Sequence, residues 1–191
     1  MKVTTTLKAI RKHNPCRAGW SQLLEHLDKT KADDTPLALE TVLDSNGLAD
    51  ALWCLRALGA EHHGWIRHYV VDCAERVKHL VTDERSIKAL RIARLYADGR
   101  ASDEDLAVVC DAAVEAAASM LVAKRVNVAK LSAMDAITIA ASDDVHCALL
   151  SATHCTARAA EQRASNKAKW YAEVRWQTSR LRKYLRKGVR P

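Results

Sequence analysis

Glycine and proline, the two residues that most often interrupt helices, are almost missing from the second half of this chain. The 191 residues include only six glycines and three prolines, and neither type occurs in the 88 residues from Arg100 to Lys187. Such a stretch predicts long helices. No segment approaches the ~20 consecutive apolar residues that a membrane-spanning helix needs, and the first residues, MKVTTTLKAIRKHN, lack the apolar core of a secretory signal. We therefore expect a cytoplasmic protein without a membrane partner.

Sequence motifs of common enzyme classes are also missing. The chain has no GxxxxGK[ST] phosphate loop, no GxGxxG dinucleotide turn and no GxSxG nucleophile elbow. Three clusters of carboxylates, at 33–34, 103–105 and 143–144, each precede a predicted helix. Carboxylates at a helix start cap free N–H groups and interact favourably with the helix dipole. The sequence thus predicts a non-enzymatic protein with no cofactor.

Six cysteines are present, and most occupy apolar helix positions, which favours reduced thiols over disulfides. The repeated pairs His146-Cys147 and His154-Cys155 superficially resemble a metal site, but structural zinc sites use shorter spacings. Cys16, in the first turn of a predicted helix and three residues after His13, is a conceivable nucleophile. A thiol- or metal-dependent enzyme therefore remains the weaker alternative.

The segment from Lys29 to Leu58 predicts a helical hairpin. Asp33, Asp34 and Thr35 offer capping oxygens, and Pro36 suits a first helical position. Asn46-Gly47 supplies the left-handed stop of that helix, and a second helix follows.

Apolar periodicity and further capping residues extend this prediction to the whole chain. One stripe, composed of Trp65, Tyr69, Cys73, Val77 and Leu80, predicts a helix over 65–80. Later helices are predicted after the capping residues Thr82-Asp83, at 103–124 after the capping Ser102, from Ser132, and from 142–144 onwards, the last able to extend to Lys187. We expect an all-α protein of eight or nine helices in orthogonal or solenoid-like packing, with a long basic C-terminal helix. It is expected to form one domain over 1–191, with helical hairpins in 1–100 and Ala-rich long helices in 101–191.

The net charge of +7 is concentrated at the C-terminal end. Residues 156–191 carry 11 Lys and Arg against 2 acidic residues, while the rest of the chain is slightly acidic. On a helix, Trp170, Val174, Leu181 and Leu185 share one predicted docking face. The opposite face carries the candidate binding residues Arg175, Trp176, Arg180, Lys183 and Lys187. Such a face fits an acidic protein surface, a ribonucleoprotein or nucleic acid, or is simply solvated.

Four motifs carry a resemblance to a known family: Cys16-x-x-Gly19-Trp20, the run from Lys29 to Leu58, Asp72-Cys73-Ala74, and Arg85-Ser86-x-x-Ala89-Leu90. Over about residues 16–106 they resemble a helical family of phages, prophages and bacteria described as immunity proteins, type-five-like. The resemblance implies an immunity-type or phage anti-defence inhibitor that occludes a partner protein, in the host cytoplasm if the chain is phage-encoded. Asp33, Asp34 and Asn46 form a secondary candidate surface. The main alternative is a nucleic-acid-binding module that uses the basic helix.

Overall fold

Helices dominate the structure, which confirms the predicted all-α class. The computed structural model describes residues 2–122, 127–142, 144–164 and 166–188, with all side chains except those of residues 147, 163 and 164. These ranges contain ten α-helices, slightly more than the expected eight or nine, and one two-stranded sheet. The elements are β1 Thr4–Thr6, α1 Leu7–Arg11, α2 Arg17–His26, β2 Pro36–Ala38, α3 Leu39–Asn46, α4 Leu48–Cys54, α5 His63–Glu75, α6 Glu84–Ala97, α7 Asp103–Leu121, α8 Val128–Ala140, α9 Val145–Ala164 and α10 Lys167–Lys187. Short 3-10 turns cover Leu55–Ala57, Ala60–His62 and Lys78–Leu80.

The chain groups into two compact units. The first unit comprises Met1–His63 with Thr178–Pro191, and the second comprises Gly64–Gln177. Helix α10 therefore contributes its first half to the second unit and its second half to the first. The single domain and its overall packing stay predictions. Within the described ranges, no helix has both the length and the apolar character that crossing a membrane requires.

In the first unit, a short antiparallel sheet stands where a helix start is predicted. β2 pairs with β1, so that Thr5 lies opposite Leu37, and α3 begins only at Leu39. The prediction that Pro36 opens the helix is therefore wrong. The physical reason lies in Asp33, whose side chain accepts a hydrogen bond from the Thr35 N–H at 3.1 Å and thereby closes a turn before the strand. The capping oxygen is used in this turn instead of at a helix start.

The end of the same helix agrees with the sequence. α3 ends at Asn46, and Gly47 adopts φ of +85° and ψ of −173°, a conformation that essentially only glycine adopts without strain. Helix α4 follows directly. The core of this unit includes Leu39, Leu52 and the C-terminal Leu185, whose carbonyl accepts a hydrogen bond from the Val3 N–H at 2.9 Å.

In the second unit, α5 places the predicted apolar stripe in the core. Trp65, Tyr69, Cys73 and Val77 are all buried. The helix ends at Glu75, however, and Leu80 is half-buried at the end of the following 3-10 turn. The stripe is thus confirmed, and its length as a single helix is not.

Capping residues explain where the later helices begin. Asp83 caps α6, and Ser102 forms a reciprocal capping box with Asp105 at the start of α7. Ser132 does not start a helix, because Asn127 caps α8 and Ser132 lies buried inside it.

The C-terminal stretch is divided into two helices, and the second of them, α10, is the expected long basic C-terminal helix. A single helix from 142–144 to Lys187, which the sequence allowed, does not form. α9 ends at Ala164 and α10 begins at Lys167. The side chain of Asn166 accepts a hydrogen bond from the Ala168 N–H at 2.7 Å, which supplies a new start without glycine or proline. The predicted end of α7 at residue 124 and the predicted helix start at Asp143 lie outside the described residues, although Asp144 caps the first turn of α9 by accepting from the His146 N–H at 2.9 Å.

Candidate partner-binding surface on the C-terminal helix

The first half of α10 buries a polar face that the sequence does not predict. Glu173 and Gln177 are buried, whereas the expected docking residues Trp170 and Val174 are only half-buried. The Gln177 side chain donates a hydrogen bond to the Thr153 carbonyl at 3.0 Å. Buried amides and carboxylates require such partners, so this face is satisfied internally.

Glu173 positions an arginine over Trp176. The Arg76 Nε donates to both Glu173 carboxylate oxygens, at 3.0 and 2.9 Å. The Arg76 guanidinium carbon lies 4.3 Å from the Trp176 ring centroid, which is cation–π geometry. The indole is half-buried, and one of its faces is covered by Arg76. Trp176 therefore presents less free surface than an exposed anchor would.

Cations surround this arrangement within the second unit. A cleft of about 400 Å³ is lined by Arg76, His79, Lys169 and Glu173, among others. Lys169 and Arg175 are both exposed. Because the one lining carboxylate, Glu173, is already bound to Arg76, the rim of the cleft favours an anionic group from outside.

In the second half of α10, two arginines bind carboxylates of α3 within the first unit. Arg182 donates to Glu40 at 3.0 Å and to Asp44 at 2.7 Å, and Arg186 reaches Glu40 at 2.7 Å. The hydrogen bond from Arg186, together with that from Arg182, holds the pKa of the Glu40 carboxyl below its usual range. These two cations therefore stabilise the fold and are not free to bind a partner.

The remaining cations of this half differ among themselves. The Arg180 guanidinium carbon lies 5.3 Å from the ring centroid of Tyr184, which is fully buried. Lys183 and Lys187 are exposed, and no ion pair joins them to another residue of the described ranges. Of the five candidate residues, Arg175, Lys183 and Lys187 are thus open to solvent, while Trp176 and Arg180 contact their own chain.

The secondary candidate surface is occupied by interactions inside the first unit. Lys29 binds Asp33 at 2.6 Å, and Lys8 binds Asp34. The hydrogen bond from Lys29 lowers the pKa of Asp33. The Asn46 amide donates to the Gly19 carbonyl and to Asp50, each at 2.8 Å. Each of the three side chains therefore has a role in the fold.

Among the described thiols, Cys16 is exposed, Cys54 and Cys73 are buried, and Cys110 and Cys155 are half-buried. The Cys16 sulfur accepts a hydrogen bond from the Gly19 N–H at 3.4 Å as the N-cap of α2. Burial raises the pKa of Cys54 to about 12 and raises that of Cys73 as well, which keeps both thiols protonated.

The histidine–cysteine pairs of α9 form no cluster of metal ligands in the part of the chain that can be described. Nowhere in these ranges do three His, Cys, Asp or Glu side chains converge as metal ligands would. The His154 ring packs edge-on against Trp170, with centroids 5.2 Å apart. The side chain of Cys147 lies outside the described residues.

A partly buried charged cluster between α5 and α6 is a further feature that the sequence does not predict. Arg94 binds Asp72 at 2.7 Å and Glu75 at 2.8 Å, and it contacts the His68 Nδ1 at 3.3 Å. Because arginine only donates, Nδ1 accepts, and the His68 proton sits on Nε2, 3.4 Å from an Asp98 oxygen. The i, i+4 spacing of His68 and Asp72 beside the apolar stripe was the signal for this cluster. All three nitrogens of the Arg94 guanidinium are engaged, so the cluster holds the two helices together.

Comparison of the chain with known protein families, with curated proteins and with solved structures finds no match. The resemblance carried by the motifs around Lys29–Leu58 accordingly stays a prediction.

Proposed function

We propose that this chain is a non-enzymatic inhibitor that covers an acidic surface of a partner protein with its basic C-terminal helix, as an immunity-type or phage anti-defence protein would. The supporting observation is the division of the cations on α10. Arg182 and Arg186 are bound to carboxylates of their own chain, whereas Arg175, Lys183 and Lys187 are exposed without an ion pair to a described residue. Cations that the fold does not neutralise remain available to an external anion.

Aromatic side chains next to these cations favour a protein partner. Tyr171 is 59% exposed, and Trp176 is half-buried beside Arg175. Protein interfaces combine a desolvated aromatic centre with a polar rim, and such aromatics contribute much of the binding energy.

A pair of matched charge reversals tests the proposal. The tagged protein is used to isolate its partner from host lysate after nuclease treatment, and the purified partner is then titrated. Lys183→Glu/Lys187→Glu should weaken binding at least tenfold, which corresponds to about 1.4 kcal/mol. Lys78→Glu/Lys88→Glu makes the same charge change at two exposed lysines outside α10 and should leave binding unaltered. Equal affinities for the two variants would refute a role for the basic helix. Arg180 is left intact because of its contact with the buried Tyr184.

Salt dependence separates a protein partner from nucleic acid. Binding to duplex DNA falls steeply with salt, with a slope of log K against log salt of about −0.9 per neutralised phosphate. An interface with an apolar centre depends on salt much less. A steep slope, together with loss of the partner on nuclease treatment, would replace the inhibitor proposal by the nucleic-acid-binding alternative.

A further inference from the structure

The outer face of α7 is both apolar and acidic. Val114 and Leu121 lie two turns apart on one side of the helix and are 51% and 60% exposed, although large aliphatic side chains are usually buried. Between Asp103 and Leu121 the helix carries five carboxylates and no lysine or arginine. A contiguous exposed apolar stripe on one helix indicates an interaction surface.

Asp111 lies within this stripe and restricts what can cover it. Ala107, Asp111, Val114, Ala118 and Leu121 follow one another at steps of three and four residues, so they share one side of the helix. All five are outside the buried face of α7. A partner that buries Val114 also removes water from Asp111, and a desolvated carboxylate requires a cation. A second α7 cannot supply one, since all its charges are negative.

The first half of α10 carries the complementary pattern. Ala168, Tyr171, Ala172 and Arg175 follow at steps of three, one and three residues and are all exposed. Tyr171 supplies an aromatic surface, and Arg175 has no ion pair in the described ranges. One side of α10 therefore offers both an apolar area and a cation without an ion pair in the described ranges, and these are the two features that a partner for the outer face of α7 must have.

We propose that α7 of one molecule docks against the Tyr171–Arg175 side of α10 of a second molecule, with Arg175 paired to Asp111. The two surfaces are different, so the contact is heterologous and can repeat from one copy to the next. Assembly should consequently grow with concentration instead of stopping at a symmetric pair. This inference does not require the proposed inhibitor function, although it uses Tyr171 and Arg175, which also belong to the proposed partner surface. Lys183 and Lys187 take no part in it, so the Lys183→Glu/Lys187→Glu variant tests the inhibitor proposal alone.

A charge swap provides the test. Light scattering after size-exclusion chromatography, and sedimentation velocity over a range of about 1–200 µM, should show a mass rising above 21.2 kDa for the full chain. Asp111→Lys and Arg175→Glu, each alone, should raise the apparent Kd for self-association at least tenfold because like charges then meet. An equimolar mixture of the two variants should associate again, since each contact between one variant and the other pairs opposite charges.

Two control variants change charge elsewhere on the surface, and a further variant changes the apolar part of the contact. Glu84→Lys and Arg91→Glu make the same charge changes at exposed positions of α6 and should self-associate like the parent. Val114→Ser, at a position 51% exposed, should weaken association while retaining helicity, and it replaces any charge variant that fails to fold. A parent chain that stays monomeric throughout would overturn the proposal. So would association unchanged in both charge variants, or a mixture that does not recover.

Discussion

Truncation of Tyr69 tests the predicted core most directly. The side chain is fully buried in the second unit, on the apolar stripe of α5. Its hydroxyl donates a hydrogen bond to the Gln177 carbonyl at 3.3 Å. Aromatic packing and the hydrogen bonding of the hydroxyl can therefore be separated by two substitutions.

The expected magnitudes follow from these contacts. Tyr69→Ala removes a whole buried ring and should lower the free energy of unfolding by about 3–5 kcal/mol, as for other large aromatic truncations. Tyr69→Phe keeps the ring and loses the interactions of the hydroxyl, of which the hydrogen bond to the Gln177 carbonyl is worth about 0.5–1.5 kcal/mol. The Phe variant should lie at the low end of that range, because 3.3 Å is long for a hydroxyl donor.

Urea denaturation followed by far-ultraviolet circular dichroism, at about 1 µM protein to suppress association, measures both losses. Tyr171→Ala is the matched control, because that tyrosine is 59% exposed and its truncation should change the stability by no more than about 0.5 kcal/mol. A loss below about 1 kcal/mol for Tyr69→Ala, or equal losses for Tyr69→Ala and Tyr171→Ala, would refute the burial of the stripe.

Two further predictions concern ionisable groups. At pH 8, iodoacetamide should modify Cys16 well before Cys54 and Cys73, because Cys16 is exposed whereas burial raises the pKa of the other two thiols; peptide mass spectrometry measures the order, and equal rates would contradict it. Arg186 and Arg182 lower the folded-state pKa of Glu40 from its ordinary 4.5, so its contribution to stability is complete above that value and is lost as the pH falls through the lower, folded pKa. The stability advantage of the parent over Glu40→Gln should accordingly be constant above about pH 5 and shrink in more acidic solution; urea titrations at several pH values measure it, and an advantage independent of pH would be inconsistent with the ion pairs.

The sequence predicts helix ends correctly where residues within the same turn determine them. The caps at Asp83 and Ser102 and the stop at Gly47 depend on residues within one helical turn, and the structure has all three. The stripe from Trp65 to Val77 was also predictable, since one helix face buried against a core leaves a period of three to four residues.

Predictions failed where a distant segment decides the structure. β1 and β2 are three residues each, too short to show alternation, and Thr5 pairs with Leu37, more than thirty residues away. Once that pairing forms, Pro36 is an edge-strand residue and cannot open α3. The sequence also does not predict the division between α9 and α10, although no distant segment is involved. This division depends on the cap at Asn166, a residue whose sequence surroundings do not distinguish it as a helix start in a stretch without glycine or proline.

The charges of the candidate site also depend on distant segments of the chain. The surplus of nine positive charges in residues 156–191 is a property of the sequence, but which of those cations stay available depends on Glu40 and Asp44, which lie more than 130 residues earlier. Composition does not distinguish Arg182 and Arg186 from Lys183 and Lys187, but in the structure only the two arginines form ion pairs with Glu40 and Asp44.

Trp176 illustrates how a buried carboxylate changes the interpretation of an aromatic among cations. From the sequence, the indole is an exposed anchor surrounded by positive charge. In the structure, Glu173 is 5% exposed and fixes the Arg76 guanidinium, which then covers one face of the ring. The Arg76 side chain is 40% exposed, so its position over Trp176 depends on the ion pair with the buried Glu173. In the proposed partner surface, Arg175, Lys183 and Lys187, which are exposed and have no ion pair in the described ranges, therefore replace the indole, and Tyr171 replaces it as the exposed aromatic side chain.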